Sequence, residues 1–231
     1  MRVPPWVSPT LLAAVLLGGG GCADLSVQGL TAGLPSLPAP QIEDLFAEAP
    51  PPPRPGDPPA LRLTLGRMGR PAYATLLQQS GPRRLWRTDR AFVVATDGPR
   101  VVATSGRRQV VMATRFEGPD PLADPAALVG RDAGAPARRL VDLATDDRDP
   151  ANKEFGLELS CRLTAEPDEQ DVDLLLVEEA CRGTGSAGSF TNSFRIRRST
   201  RQVEWSRQWI GPGVPMLTIE PATSRLALPG G

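Results

Sequence analysis

The sequence predicts an all-β fold: a single antiparallel barrel or sandwich-like domain behind a signal peptide and a proline-rich tether. Three observations predict it. Past Ala60 the chain breaks into short runs rich in Val, Leu, Thr and aromatic residues, the composition that suits a pleated, half-buried surface. Clusters of turn-forming residues separate most of these runs, among them Ser80-Gly81-Pro82, Asp97-Gly98-Pro99, Ser105-Gly106 and Gly211-Pro212-Gly213. A parallel sheet would need interleaved helices of ten or more residues, and only DPAALVG, residues 124–130, reads as helical.

The elements follow in chain order. Residues 1–21 carry an early arginine, an apolar run from Leu11 to Leu17 and then small residues ending at Cys22. That run is far shorter than the ~20 residues a membrane-spanning helix needs, so it reads as the hydrophobic region of a signal peptide. A cysteine directly after small residues resembles the lipobox of bacterial lipoproteins, in which cleavage precedes a cysteine whose sulfur carries a diacylglycerol. Here Gly19-Gly20-Gly21 replaces the usual leucine three residues before Cys22, and a plain secretory signal is the alternative. Residues 22–59 are dominated by proline, which removes backbone donors and fixes φ, so this stretch is expected to be an extended tether. Within it only QIEDLFAE suggests a short helix. Residues 60–221 form the β domain, with candidate strands LRLTLG, YATLLQQ, RRLWRT, AFVVAT, RVVATS, QVVMATR, RRLVDLAT, FGLELSCRLT, VDLLLVEEAC, SFTNSFRIR, VEWSRQWI and VPMLTIE. Residues 222–231 read as a disordered tail.

Composition removes several function classes. Lys+Arg and Asp+Glu both number 26, so the chain lacks the cationic surplus that displaces counterions from nucleic-acid phosphates. Histidine is absent, which excludes Ser-His-Asp and Cys-His machinery and removes the commonest metal ligand. No metal or other cofactor is expected. If Cys22 carries lipid, Cys161 and Cys181 remain as an even pair in an exported chain, and a structural disulfide between two hairpin strands is the expectation.

Two patterns invite a chemical reading. GTGSAG, Gly183 to Gly188, has dinucleotide-site spacing, but a strand pattern follows it where a helix would have to receive the pyrophosphate, so it reads as a turn. DLATDDRDPANKE gathers Asp142, Asp146, Asp147, Asp149 and Glu154 beside Arg148 and Lys153; its spacing fits no calcium loop, and it reads as a solvated loop.

In VEWSRQWIGPG the two-residue period of a strand places Val203, Trp205, Arg207 and Trp209 on one face. An arginine between two indoles suits either a packed structural ladder or a platform for a sugar. Together with SFTNSF, LTIE and the cysteine pair, this segment resembles the C-terminal signature of YjbF-like lipoproteins, the group 4 capsule polysaccharide lipoprotein family. The matching positions are Cys161, Cys181, Phe190, Asn192, Phe194, Trp205, Ser206, Gln208 and Pro212. LWRTDRAFVVATDGPRVVAT is similar to a further family segment. RIRRSTRQVEW departs from the pattern, which has an aromatic pair, an Asp and a Gly between these strands.

The resemblance implies an outer-membrane lipoprotein with a β domain facing the periplasm, serving secretion of capsule or exopolysaccharide without catalysing a reaction. Its partners would be the membrane, through the lipid, and either the polysaccharide or proteins of the export complex. Trp205, Arg207, Gln208 and Trp209 are the candidate glycan-contacting or partner-contacting residues. The alternatives are a lipid- or lipoprotein-handling periplasmic barrel with an apolar cavity and, third, a glycan hydrolase built on two converging carboxylates.

Overall fold

The computed structural model describes residues 53–54, 56–106, 110–145 and 150–222. The signal peptide, Cys22, most of the tether and Asp146, Asp147 and Asp149 lie outside the described residues, as does the tail beyond Ala222. The domain is all-β, and among the described residues no α-helix occurs.

The described residues form twelve strands: β1 (Ala60–Leu65), β2 (Ala72–Ser80), β3 (Arg83–Thr88), β4 (Val93–Asp97), β5 (Arg100–Ser105), β6 (Val110–Glu117), β7 (Ala135–Ala144), β8 (Lys153–Pro167), β9 (Leu174–Gly183), β10 (Ser189–Arg197), β11 (Val203–Gln208) and β12 (Leu217–Pro221). They form one sheet in the order β5-β4-β3-β2-β1-β12-β11-β10-β9-β8-β7-β6. Every neighbouring pair is antiparallel. The return of β12 to β1 makes the sheet continuous between the two halves of the chain. Its free ends, β5 and β6, are consecutive in sequence, and the sheet is nearly closed into a barrel.

Side-chain alternation sets the inside. On β8, Leu159, Cys161, Leu163 and Ala165 are buried while Glu158, Ser160 and Arg162 are exposed. A strand with this period cannot slip by one residue without turning its apolar row toward water. Two apolar clusters result. One joins side chains of β6–β10, such as Val111, Val141, Leu163, Leu175 and Phe194. The other joins β1–β5 and β12 through Leu63, Trp86, Phe92, Val94 and Leu217. Each fully buried leucine contributes about 1.5–3 kcal/mol relative to an exposed one.

The segment read as helical, residues 124–130, contains a 3₁₀ turn, Pro125–Leu128, and another, Pro121–Ala123, precedes it. A proline begins each, and the Asp120 carboxylate accepts from the Leu122 amide, so the chain is punctuated before an α-helix can propagate. Leu122 and Leu128 are buried in the β6–β10 core. The glycine-rich segment is a turn between β9 and β10, as its sequence context requires. Gly185 and Gly188 adopt φ of 57° and 63°, where a side chain would be strained.

Candidate functional site

The inner face of the barrel carries a charged cluster where β5 meets β9–β11. Val101 packs in the β1–β5 core, and the residue before it, Arg100, is buried as well, with only 1% of its surface exposed. Its Nε and Nη2 donate to the two Asp120 carboxylate oxygens at 2.5 and 2.8 Å, the paired geometry in which a planar guanidinium fits a carboxylate best. Its Nη1 donates to Glu179 Oε1 of β9 at 2.8 Å. The other Glu179 oxygen accepts from Asn192 Nδ2 of β10 at 2.7 Å and from Arg139 Nη2 of β7 at 3.3 Å. Arg100 also lies 4.9 Å from the Phe116 ring centroid and 5.8 Å from that of Phe194, so aromatic faces complete its surroundings.

Burial and pairing compete in this cluster, and pairing wins for Glu179. Burial alone would raise its pKa, yet the Arg139 and Arg100 charges and the Asn192 hydrogen bond hold the carboxyl below its ordinary range. Arg100 is likewise held above its ordinary value: its hydrogen bonds to Asp120 and the neighbouring carboxylate charges outweigh burial. For Arg139 burial dominates, with repulsion from Arg100 added to it, and the pKa falls despite Glu179. Its Nε is a buried donor without a hydrogen-bond partner, while its Nη2 reaches Cys181 Sγ at 3.5 Å.

Gln208 is the second link between the free end of the sheet and the wall. Its Oε1 accepts from the Val101 amide at 2.9 Å, and its Nε2 donates to the Pro99 carbonyl at 2.8 Å and to Ser206 Oγ at 3.0 Å. An edge strand exposes unpaired backbone groups; here an amide side chain from β11 satisfies two of them. On the other free strand, Thr104 Oγ1 accepts from the Val111 amide at 3.3 Å.

Most positions that carry the family signature converge on this cluster; Trp205 and Pro212 do not. Cys161 and Cys181 stand opposite each other on β8 and β9 and are joined by a disulfide. Phe194 and Asn192 touch the guanidinium and the carboxylate, Asn192 Oδ1 accepts from the Trp209 amide at 2.8 Å, and Ser206 holds Gln208. Phe190 stacks flat on Trp209 with ring centroids 4.4 Å apart. Pro212 lies in the turn after β11 and takes no part.

The four candidate contact residues separate. Trp205 and Arg207 lie on the outer face of β11, half-buried, with Arg195 across from Trp205 and its guanidinium 6.0 Å from the indole centroid. Gln208 points inward. The strand ends there, so the alternation stops before Trp209, whose ring packs against the β6–β10 core. Arg207 therefore does not sit between two indoles. The departing hairpin RIRRSTRQVEW closes by Arg197 N donating to Gln202 O, and Arg201 takes φ 58°, a conformation a glycine would adopt without strain.

The cluster's residues were legible in part. Period two puts Glu179 in line with Leu175, Val177 and Cys181, and Arg139 in line with Ala137 and Val141. A charge on an otherwise apolar row is the signal sequence reading passed over. Arg100 and Asp120 give no such sign, because their partners lie on distant strands.

Chemically the arrangement is self-contained. Glu179 and Asp120 do converge on Arg100, but Glu179 is completely buried, ionised and bound to three donors, so it has neither a proton to give nor a face toward a substrate. Cys161, Glu179 and Cys181 lie within metal-ligand distance of one another, but the sulfurs are bonded together and two guanidinium groups stand beside them. That donor set does not suit a cation. A lipid carrier needs an apolar lumen, and charged side chains fill this part of the interior.

Fold and site thus define an antiparallel β-barrel domain whose buried charges brace its own wall. The chain belongs to the group 4 capsule polysaccharide lipoprotein family, YjbF, which matches residues 58–221. A solved structure, the hypothetical lipoprotein YmcC from Escherichia coli (K12), superposes with a TM-score of 0.57 at 17% identity, covering 90% of this chain and 98% of that one. It shares the fold. No curated protein matches the chain.

Proposed function

We propose that the protein is an outer-membrane lipoprotein, anchored through Cys22 with its barrel on the periplasmic face. There it acts as a non-enzymatic accessory to secretion of capsule or exopolysaccharide, binding the glycan or a protein of the secretion complex. Membership of a capsule polysaccharide lipoprotein family supports the setting. The observation that carries the mode of action is the internal pairing of Glu179, Asp120, Arg100 and Arg139. Groups bound to one another inside a wall shape the wall; they leave the outer surface as the part that meets other molecules.

The test is made in the protein's own host. A deletion strain should lose surface polysaccharide, wild-type protein should restore it, and Cys22→Ser should leave the protein in the soluble periplasmic fraction and restore little. Normal surface polysaccharide in the deletion strain would overturn the proposal, and full restoration by Cys22→Ser would remove the anchor from it.

A further inference from the structure

The outer face of β2–β3 carries a groove of about 480 Å³ where the last tether residues lie against the sheet. That volume is within the range of small-molecule sites. Tyr73, Thr75, Leu77, Arg87 and Asp89 line it from the sheet, and Asp57 faces them from the tether. Thr75 stands directly opposite Arg87, so paired strands form the floor, with a bulge in β2 at Leu77.

The charged side chains of this groove keep spare hydrogen-bonding capacity. Arg87 makes no ion pair among the described residues. The Asp57 carboxylate accepts from the Arg54 amide and the Asp89 carboxylate from the Arg90 amide, each through one oxygen, which leaves the other oxygen open to a ligand. Tyr73 is the only tyrosine in the chain and is half-buried, with flanking Ala72 and Ala74 turned into the core. A phenol ring supplies an apolar face that stacks on the C–H face of a pyranose, with a hydroxyl at its rim. Two carboxylates against one guanidinium give the lining a formal charge of −1, which disfavours uronates, sulfates and phosphates. A neutral sugar presents hydroxyls that both donate and accept, so it bonds to carboxylates and guanidinium alike and adds no charge of its own.

We propose that this groove binds neutral sugar units of a polysaccharide, with Tyr73 as the stacking face and Arg87, Asp57 and Asp89 as hydroxyl partners. The inference rests on the glycan arm of the function proposed above. It moves that contact from the Trp205 region of β11 to the junction of tether and barrel.

The test uses the full lipidated protein in detergent micelles, titrated calorimetrically with neutral gluco-, galacto- and manno-oligosaccharides and with oligogalacturonate. At least one neutral series should bind with a Kd of about 1 mM or tighter, and oligogalacturonate should not. Tyr73→Ala and Arg87→Ala should each weaken binding about tenfold or more, while Trp205→Ala leaves it unchanged. Arg87 is exposed, so its variant keeps the test informative if Tyr73→Ala perturbs folding. Loss of binding in Trp205→Ala, with the groove variants unaffected, overturns the groove and keeps the glycan arm. Preference for oligogalacturonate overturns the neutral-sugar assignment. Absence of binding across the whole panel overturns both the groove and the glycan arm, leaving the protein-partner arm of the proposed function.

Discussion

Glu179 is the residue on which the interior charge balance turns. Both guanidinium groups reach it, and with Asn192 it accepts three hydrogen bonds in a fully buried position. Removing one member of a buried ionic network costs more than the network contributes, because the remaining charges keep their desolvation penalty. Glu179→Gln should therefore lose about 3–5 kcal/mol of stability, read as a lower urea midpoint near neutral pH. The pH dependence has a definite sign. The folded carboxyl is held below its ordinary value, so the unfolded chain takes up the proton first as pH falls. The stabilisation is complete above the unfolded carboxylate pKa of about 4.3 and is lost as pH drops through the folded value. Wild-type protein should lose stability steeply below about pH 5, and Glu179→Gln should show a shallower slope there. Equal slopes in the two proteins would contradict this account. The sequence held half of this information, for an acid on the row Leu175, Val177, Cys181 declares its burial. The partner Arg100 is 79 positions away, and local spacing does not encode such a contact.

Among the elements, β5 depends most on groups outside the backbone ladder. It pairs with β4 alone, and Gln208 satisfies the Val101 amide and the Pro99 carbonyl on its open side. Gln208→Ala leaves both groups without that partner, at a cost of about 1–3 kcal/mol for each one that stays buried. Amide exchange at Val101 should accelerate by about tenfold or more, while amides within the β8–β9 ladder keep their protection. Unchanged exchange at Val101 would show that the strand is held by other contacts. The β8–β9 hairpin is braced instead by a covalent link, since Cys161 and Cys181 are 20 residues apart and face each other in register. Reducing that bond should lower stability by about 3 kcal/mol, seen as a shifted unfolding midpoint with the β content retained at low denaturant. Strand existence was legible throughout because alternation and turn residues are local properties. RRLWRT, RVVATS and SFTNSFRIR coincide with β3, β5 and β10 residue for residue. Among the described residues element type failed at 124–130, where Pro125 turns a helical composition into the 3₁₀ turn Pro125–Leu128.

At the scale of the whole molecule, the barrel consists of two apolar clusters joined by a small number of polar links. The sequence announced neither the division nor the links, because antiparallel alternation says which face of a strand is buried and nothing about which distant strand covers it. The return of β12 to β1 makes the sheet continuous, while Arg100–Glu179 and Gln208–Val101 tie its free end to the opposite wall. If those links transmit cooperativity, the two clusters unfold together only while they are intact. Trp86 lies in one cluster, and Trp209 packs against the other, so fluorotryptophan resonances report on each separately. In wild-type protein both signals should disappear at one urea concentration. In the double variant Arg100→Met, Gln208→Ala the Trp86 signal should vanish first, because its cluster is built from the shorter strands and loses its charged tie to β9. Replacing both groups leaves Glu179 still paired with Arg139 and Asn192, so the β6–β10 half keeps its core and the Trp209 midpoint should move less. Coincident midpoints in the double variant would mean that the β1–β12 ladder alone couples the halves, and the interior cluster would then be a local brace and not the link that makes the barrel a single cooperative unit.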